Sequence, residues 1–213
     1  MTESSTRNSI RAPWLGKTRA EIEGGLYHVI TRGNNRRQIF HDTADYEKFL
    51  LLLAAQKAKL RFFLYAYCLM TNHVHLLIER QADTIGRLMH RVLTGYSQYY
   101  NRRYRRVGHL LQGRYKSILC QSDRYLAELV RYIHLNPVRA GMVKRPEQYK
   151  YSGHRAYLGL EAAAIIDVDP VLRHFGGEES GRSRDLPTVR GCWDGPRSSS
   201  WVLSSGRWTN FGK

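Results

Sequence analysis

Tyr67-Cys68-Leu69-Met70-Thr71-Asn72-His73-Val74-His75-Leu76-Leu77-Ile78-Glu79 is an apolar run broken once, by the polar pair Thr71-Asn72. A two-residue polar break between apolar segments of strand length predicts two antiparallel strands joined by a tight link, Phe62 to Leu69 and His73 to Glu79. In a strand, residues i and i+2 share a face, so His73 and His75 stand side by side while Val74 points away. Two neutral imidazoles on one rigid strand are half of a divalent-metal site. A His-x-His pair alone is equally the mark of two hydrogen-bonded strand histidines, and its weight depends on the rest of the chain.

Outward from this hairpin the pattern extends in both directions. Gly25 to Thr31 reads as a strand rich in β-branched and aromatic residues, closed by Arg32-Gly33-Asn34-Asn35-Arg36-Arg37. Asp42 or Thr43 can cap a helix running to about Lys59, with Tyr46, Phe49, Leu50, Leu53 and Ala54 at helical spacing. After the hairpin, Asp83 is the expected cap of a second long helix with an apolar stripe of Ile85, Leu88, Met89, Val92, Leu93 and Tyr96. Arg114 to Gln121 suits a fourth strand. Asp123 then opens a third helix, expected to end near Asn136-Pro137 because the residue before proline is disfavoured in the helical region. The order β-α-β-β-α-β with one further helix predicts an α+β fold: a ferredoxin-like antiparallel sheet with helices on one face, plus the extra helix.

Charge divides the 213 residues. Residues 1–160 carry 27 Lys and Arg against 11 Asp and Glu, and all 14 tyrosines; residues 161–213 carry 7 against 7. A basic surplus of this size on one aromatic-rich unit favours a polyanionic partner, nucleic acid above all, over a charge that serves solubility alone. Three segments follow: a basic N-terminal arm over 1–23, a domain over 24–160, and a tail over 161–213 that reads as irregular or disordered, with seven glycines and seven serines and no long apolar period. The tail is given no function. Cys68, Cys120 and Cys192 are too few and too scattered for a disulfide framework or zinc ribbon. No apolar segment reaches membrane-spanning length and the N-terminus lacks a secretory core, so a cytoplasmic protein without a membrane partner is expected.

The third helix gives the histidine pair its context. Leu126, Val130 and Ile133 form its packing stripe; Tyr132 and Asn136, four apart, lie one above the other on the adjacent face. If that face meets His73 and His75, two imidazoles, an amide oxygen and a phenol converge, and a phenol beside a metal is a competent nucleophile toward phosphorus. The bland alternatives are a tyrosine covering the core edge and an asparagine ending a helix before proline. His134 sits on a different helix face and is expected to touch DNA or solvent. His28 would approach the site only if the first strand neighbours the third.

Four ordered stretches now carry a resemblance: Tyr27-His28-Val29-Ile30-Thr31-Arg32-Gly33-Asn34-Asn35, Met70-Thr71-Asn72-His73-Val74-His75-Leu76-Leu77, Gln112-Gly113-Arg114-Tyr115-Lys116, and Tyr132-Ile133-His134-Leu135-Asn136-Pro137-Val138-Arg139-Ala140-Gly141. Over roughly residues 24–159 the chain resembles the single-tyrosine HUH transposases, most closely the REP-associated tyrosine transposases of IS200-like type. The resemblance implies that His73 and His75 are the two-histidine motif binding Mg²⁺ or Mn²⁺. It implies also that Asn136 completes the metal site and that Tyr132 is the nucleophile. The implied activity is cutting and rejoining single-stranded DNA at hairpin-marked sites through a 5′-phosphotyrosine, on the nucleoid of a bacterium. Relatives work as monomers or as homodimers that exchange the tyrosine helix, so a homodimer is among the expected forms.

The DNA contacts expected from the residues themselves are the tyrosine–arginine alternation Tyr99, Tyr100, Arg102, Arg103, Arg105 and Arg106, which offers rings for unstacked bases and cations for phosphates. Arg32, Arg36, Arg37, Arg114 and Lys116 are the next candidates for the DNA backbone. Three rivals stand beside this reading. A relaxase-like nickase would use the same histidines in another chain order. A non-catalytic nucleic-acid-binding domain would survive loss of Tyr132. A metal-dependent nuclease using water would cut without a covalent adduct.

Overall fold

The computed structural model describes residues 21–120, 126–175, 201–204 and 207–210. Strands β1 (Leu26–Arg32), β2 (Phe62–Met70), β3 (His73–Arg80) and β4 (Lys116–Cys120) form one sheet in the order β2-β3-β1-β4, every neighbouring pair antiparallel. Helices α1 (Thr43–Lys57) and α2 (Ile85–Arg103) pack on each other. The β-α-β-β-α-β order and the central placing of β1 and β3 are the ferredoxin-like arrangement expected from the sequence.

Register decides which side chains share a face. His75 lies opposite both Cys68 of β2 and Ile30 of β1, and Ile30 lies opposite Lys116 of β4. His73 lies opposite Met70 and Arg32 in the next row. The alternate set, Val29, Val74, Leu76 and Ile78, is wholly buried. Helix α3 (Leu126–His134) packs on β2 and β3, with Leu126, Leu129, Val130, Ile133 and His134 buried.

Several boundaries differ from the sequence reading, each for a local reason. Thr84, not Asp83, caps α2, its hydroxyl accepting from Arg87 N at 3.2 Å; the Asp83 carboxylate instead accepts from Arg61 N at 2.8 Å. The helix start expected at Asp123 lies outside the described residues. Pro137 does not stop the chain from turning: after a break at Leu135 a further helical turn, α4 (Asn136–Arg139), begins with proline in its first turn, where a missing N–H is harmless. The N-terminal arm is anchored from Glu21 onward, because the Glu21 carboxylate accepts from Ile85 N and Gly86 N at the start of α2.

The domain does not end at residue 160. Segment 149–153 runs along the free edge of β2, with Leu69 N donating to Tyr151 O at 2.9 Å and Gly153 N to Tyr67 O at 3.0 Å, which covers an otherwise open edge. Helix α5 (His154–Tyr157) follows, then Asp167, whose carboxylate accepts from Leu64 N and pairs with Lys57. Helix α6 (Asp169–Phe175) reaches α3, and Ile166 and Val171 are buried. Residues 161–175 therefore belong to the folded unit, which corrects the tail boundary. Farther on, β5 (Trp201–Ser204) and β6 (Arg207–Asn210) form an antiparallel pair.

Two buried histidines outside the sheet set an acid limit. His134 is fully buried, its ring against His154 and Tyr157 at 5.4 and 5.5 Å between centroids, so it is a core residue and not a DNA or solvent contact. Burial lowers the pKa of His154 to about 4. The unfolded imidazole protonates near pH 6.5, so between 6.5 and 4 the unfolded chain binds more protons and stability rises with pH. The contribution is full above pH 6.5 and is lost as pH falls toward 4, amounting to about 3 kcal/mol for this one group. Denaturant melts at pH 7 and pH 5 are expected to show a steep loss in wild type. His154→Gln, neutral throughout, should show a slope shallower by up to about one proton; equal slopes would remove His154 from this role.

Candidate functional site

The open face of the sheet beside α3 gathers the residues singled out from the sequence. His73 and His75 sit on β3 with ring centroids 4.8 Å apart, edge to face. The Tyr132 ring stands 6.5 Å from His75 and 6.1 Å from His28. Tyr132 and His73 are half-buried, while His75 and His28 are buried. The i, i+4 placing of Tyr132 and Asn136 survives the break at Leu135: Asn136 Nδ2 donates to Tyr132 O at 3.0 Å and to Ile133 O at 3.1 Å. Those bonds occupy the nitrogen end of the amide and leave Oδ1 as its donor toward a cation.

The two strand histidines have different hydrogen-bond partners. His73 Nδ1 lies 2.6 Å from Asn72 Oδ1, an oxygen that can only accept, so the proton is on Nδ1 and Nε2 keeps its lone pair. Asn72 is itself tied down, donating from Nδ2 to Arg36 O at 3.0 Å. His75 Nδ1 lies 2.9 Å from His28 Nε2. Burial, with Arg32 adding to it, lowers the pKa of His73 to about 4, and burial with the neighbouring His28, His73 and Arg32 holds His75 well below its usual value. Both rings are thus neutral at physiological pH, the form that ligates metals. Among the described residues no three His, Cys, Asp or Glu groups are placed to share a metal. Two imidazole nitrogens and an amide oxygen are donors whose chemistry suits a divalent ion.

Asn72 and Arg139, which the sequence reading did not name for the site, and His28, which it named conditionally, also lie there. Asn72 reads in the sequence only as part of a turn, yet it fixes His73. His28, on the strand that does neighbour the third, is buried and meets His75 ring edge to ring edge, centroids 5.1 Å apart. Arg139 stands over the Tyr132 ring, Cζ 4.7 Å from its centroid, and its charge works against the burial that raises the Tyr132 pKa. Helical spacing is the signal that finds it, since 132, 136 and 139 lie on one face.

The expected DNA contacts divide. Arg32 and Lys116 are exposed on the same face as the histidines. Arg36, Arg37 and Arg114 are exposed on neighbouring loops, which are tied together where Gln112 N donates to Arg32 O and Asn34 N to Leu110 O. Gly33 is required at this turn, since a Cβ there would lie 2.2 Å from Arg37 O. Arg102 and Arg105 are exposed at the end of α2 and beyond it, and Arg106 lies over the Tyr100 ring at 5.9 Å.

Tyr99, Tyr100 and Arg103 require correction. Tyr100 is 2 % exposed and its hydroxyl meets His41 Nε2 at 2.7 Å. The Tyr99 hydroxyl and Arg103 Nη1 donate to Asp45 Oδ1 at 3.1 and 2.8 Å, and Arg103 also clasps Asp42. Asp45 is wholly buried, and a buried carboxylate must be satisfied from within. These three side chains hold α2 to α1 and its approach instead of reaching for DNA.

The family model described as "Transposase IS200 like" matches residues 22–136. A solved structure of a REP-associated tyrosine transposase bound to a REP hairpin is 20% identical, covers 70% of this chain and 91% of its own, and superposes with a TM-score of 0.56, which shows a shared fold. A protein designated a transposase in Deinococcus radiodurans R1 is 23% identical over 55% of this chain and 94% of its own, with a TM-score of 0.37. No curated protein matches the sequence. Among the described residues no helix is long and apolar enough to cross a membrane.

Proposed function

Because the chain belongs to the IS200-like transposase family, a family of DNA-processing enzymes, we propose that it cuts and rejoins single-stranded DNA at hairpin-marked sites with Tyr132 as nucleophile. The observation that carries this reading is the Tyr132 ring beside the His73–His75 pair, 6.5 Å from His75, with Arg139 over it. His73, His75 and Asn136 would hold Mg²⁺ or Mn²⁺, which supplies Lewis-acid stabilisation of charge at the scissile phosphate.

The protein's own groups account for the remaining steps. Arg32 and Lys116 hold the DNA backbone across the open sheet face. Tyr132 Oη attacks phosphorus, an Oη–P bond forms, and the P–O3′ bond breaks. The freed 3′-oxygen takes up a proton, and the 5′-phosphate stays on the tyrosine. Rejoining is the reverse transfer, a 3′-hydroxyl displacing the phenol, so bond energy is conserved and no nucleotide cofactor is needed. The half-buried setting of Tyr132 disfavours its phenolate, and the Arg139 guanidinium favours it. The setting is then the bacterial cytoplasm, on nucleoid DNA.

A single-stranded hairpin oligonucleotide, labelled on the 3′ side of the cut and incubated with Mn²⁺ or Mg²⁺, tests the reading on a denaturing gel. A chelator-sensitive protein–DNA adduct is expected. Cutting without an adduct would transfer the case to a water-using nuclease, and tight binding without cutting to a non-catalytic DNA-binding domain.

Arg139→Ala is expected to slow adduct formation by about tenfold, the scale of a single cation–ring interaction acting in the transition state. Without the cation the Tyr132 pKa rises, so any alkaline limb of the rate profile moves upward. Arg139→Lys should recover part of the rate. An unchanged rate and profile in Arg139→Ala would remove Arg139 from the chemistry.

A further inference from the structure

Two histidines on β3 reach the site with different partners behind them. Asn72 Oδ1 is a pure acceptor, so the contact at 2.6 Å decides the His73 tautomer outright. The partner of His75 is another imidazole, His28, at 2.9 Å between Nδ1 of His75 and Nε2 of His28. Each neutral imidazole has one donor and one acceptor nitrogen, so this contact exists in two forms. If His28 donates, His75 must carry its own proton on Nε2 and has no lone pair for a cation. If His75 donates from Nδ1, its Nε2 is free to ligate.

We infer that His28 is a positioning residue for the metal site: its Nε2 accepts from His75 Nδ1 and holds His75 in the tautomer that ligates through Nε2. The inference rests on the proposed metal-dependent reading. Three observations support it. His28 is 0 % exposed and His75 is 6 % exposed, so no solvent competes for the bond between them. The two rings lie within 21° of parallel with centroids 5.1 Å apart, edge to edge along the N···N contact, which fixes their relative orientation. His28 Nε2 meets His75 at Nδ1, the ring nitrogen opposite the proposed ligand atom Nε2. The register explains the geometry: His28 lies opposite Leu77 in β1–β3 pairing, one row along from His75 on the same face. Ligating histidines are generally held this way, and loss of such a support weakens metal affinity about 10–100-fold.

Mn²⁺ binding to the full chain without DNA, followed by the electron paramagnetic signal of the free ion, separates this inference from the reading beneath it. Wild type is expected to bind, and His73→Ala to lose binding. His28→Leu should bind about 10–100-fold more weakly while its metal-free melting temperature shows a folded protein. His28→Gln, which can again offer an acceptor oxygen, should recover most of the affinity. Equal Mn²⁺ binding by wild type and His73→Ala would bring down the metal reading and this inference with it. His73-dependent binding that is unchanged in folded His28→Leu would overturn the inference alone. If His28→Leu does not fold, the ring ¹⁵N shifts of His75 in metal-free wild type decide instead. A proton on Nδ1 with a free Nε2 is the expected result, and a proton on Nε2 overturns the inference.

Discussion

Tyr132→Phe is expected to abolish the covalent protein–DNA adduct and to lower strand cleavage by at least about 10³-fold, the scale on which loss of a nucleophile is felt. The substitution removes one oxygen from a half-buried ring and leaves the ring's packing and its place under Arg139 intact. DNA binding and melting temperature should therefore stay close to wild type. That combination, chemistry abolished with fold and binding kept, separates a nucleophile from a tyrosine that only covers the core edge. Gel-shift affinity, calorimetric melting and denaturing-gel cleavage on one oligonucleotide measure all three. Cleavage that persists at the wild-type rate would remove Tyr132 from the reaction.

The largest expected effect on stability lies at Asp45, away from the chemistry. Its buried carboxylate accepts from His41 N at 2.8 Å, Tyr104 Oη at 2.7 Å, Tyr99 Oη at 3.1 Å and Arg103 Nη1 at 2.8 Å. It thus joins the first turn of α1 to the last turn of α2. Asp45→Ala leaves those donors without their acceptor and is expected to cost about 3–5 kcal/mol, the range for removing one partner of a buried charge pair. In a domain of this size that is a fall in melting temperature on the order of 10 °C. Asp45→Asn keeps one acceptor oxygen and should cost less. Tyr104→Phe combined with Asp45→Ala should be less than additive, because the two groups share one bond. A melting temperature unchanged in Asp45→Ala would show the brace to be dispensable.

A separate set of bonds ties α2 to the hairpin that carries His73. Tyr96 Oη donates to Ile39 O at 2.5 Å, and Ile39 N and Phe40 N both donate to Thr71 O, one residue before Asn72. The hairpin turn that positions His73 is therefore fastened to the helical layer as well as to its own strands.

Short periods carry everything legible in the chain alone. Alternation puts His73 and His75 on one face, and the polar Thr71-Asn72 between apolar runs marks an antiparallel link, because a strand's side-chain period is two wherever the strand lies. Helical spacing puts Tyr132 and Asn136 together for the same kind of reason. Arg139 belongs to that face too, but Pro137 reads as a stop unless the turn is known to restart there, where proline loses nothing. Residues 161–175 offer no long period, and their place in the domain comes from Asp167 meeting the edge of β2.

Direction and register lie outside any such period. An alternation of tyrosine and arginine reads alike whether it faces DNA or protein; a buried Asp45 on another helix turns Tyr99 and Arg103 inward. His28 and His75 are 47 residues apart, and only the pairing of β1 with β3 puts one ring behind the other. Local geometry, which follows from the repeat of the backbone, names the residues able to act: two histidines, a tyrosine and an asparagine. Long-range packing selects which basic and aromatic side chains stay free and which hold the others in place. That selection depends on partners brought by distant strands and helices, and no local period encodes them.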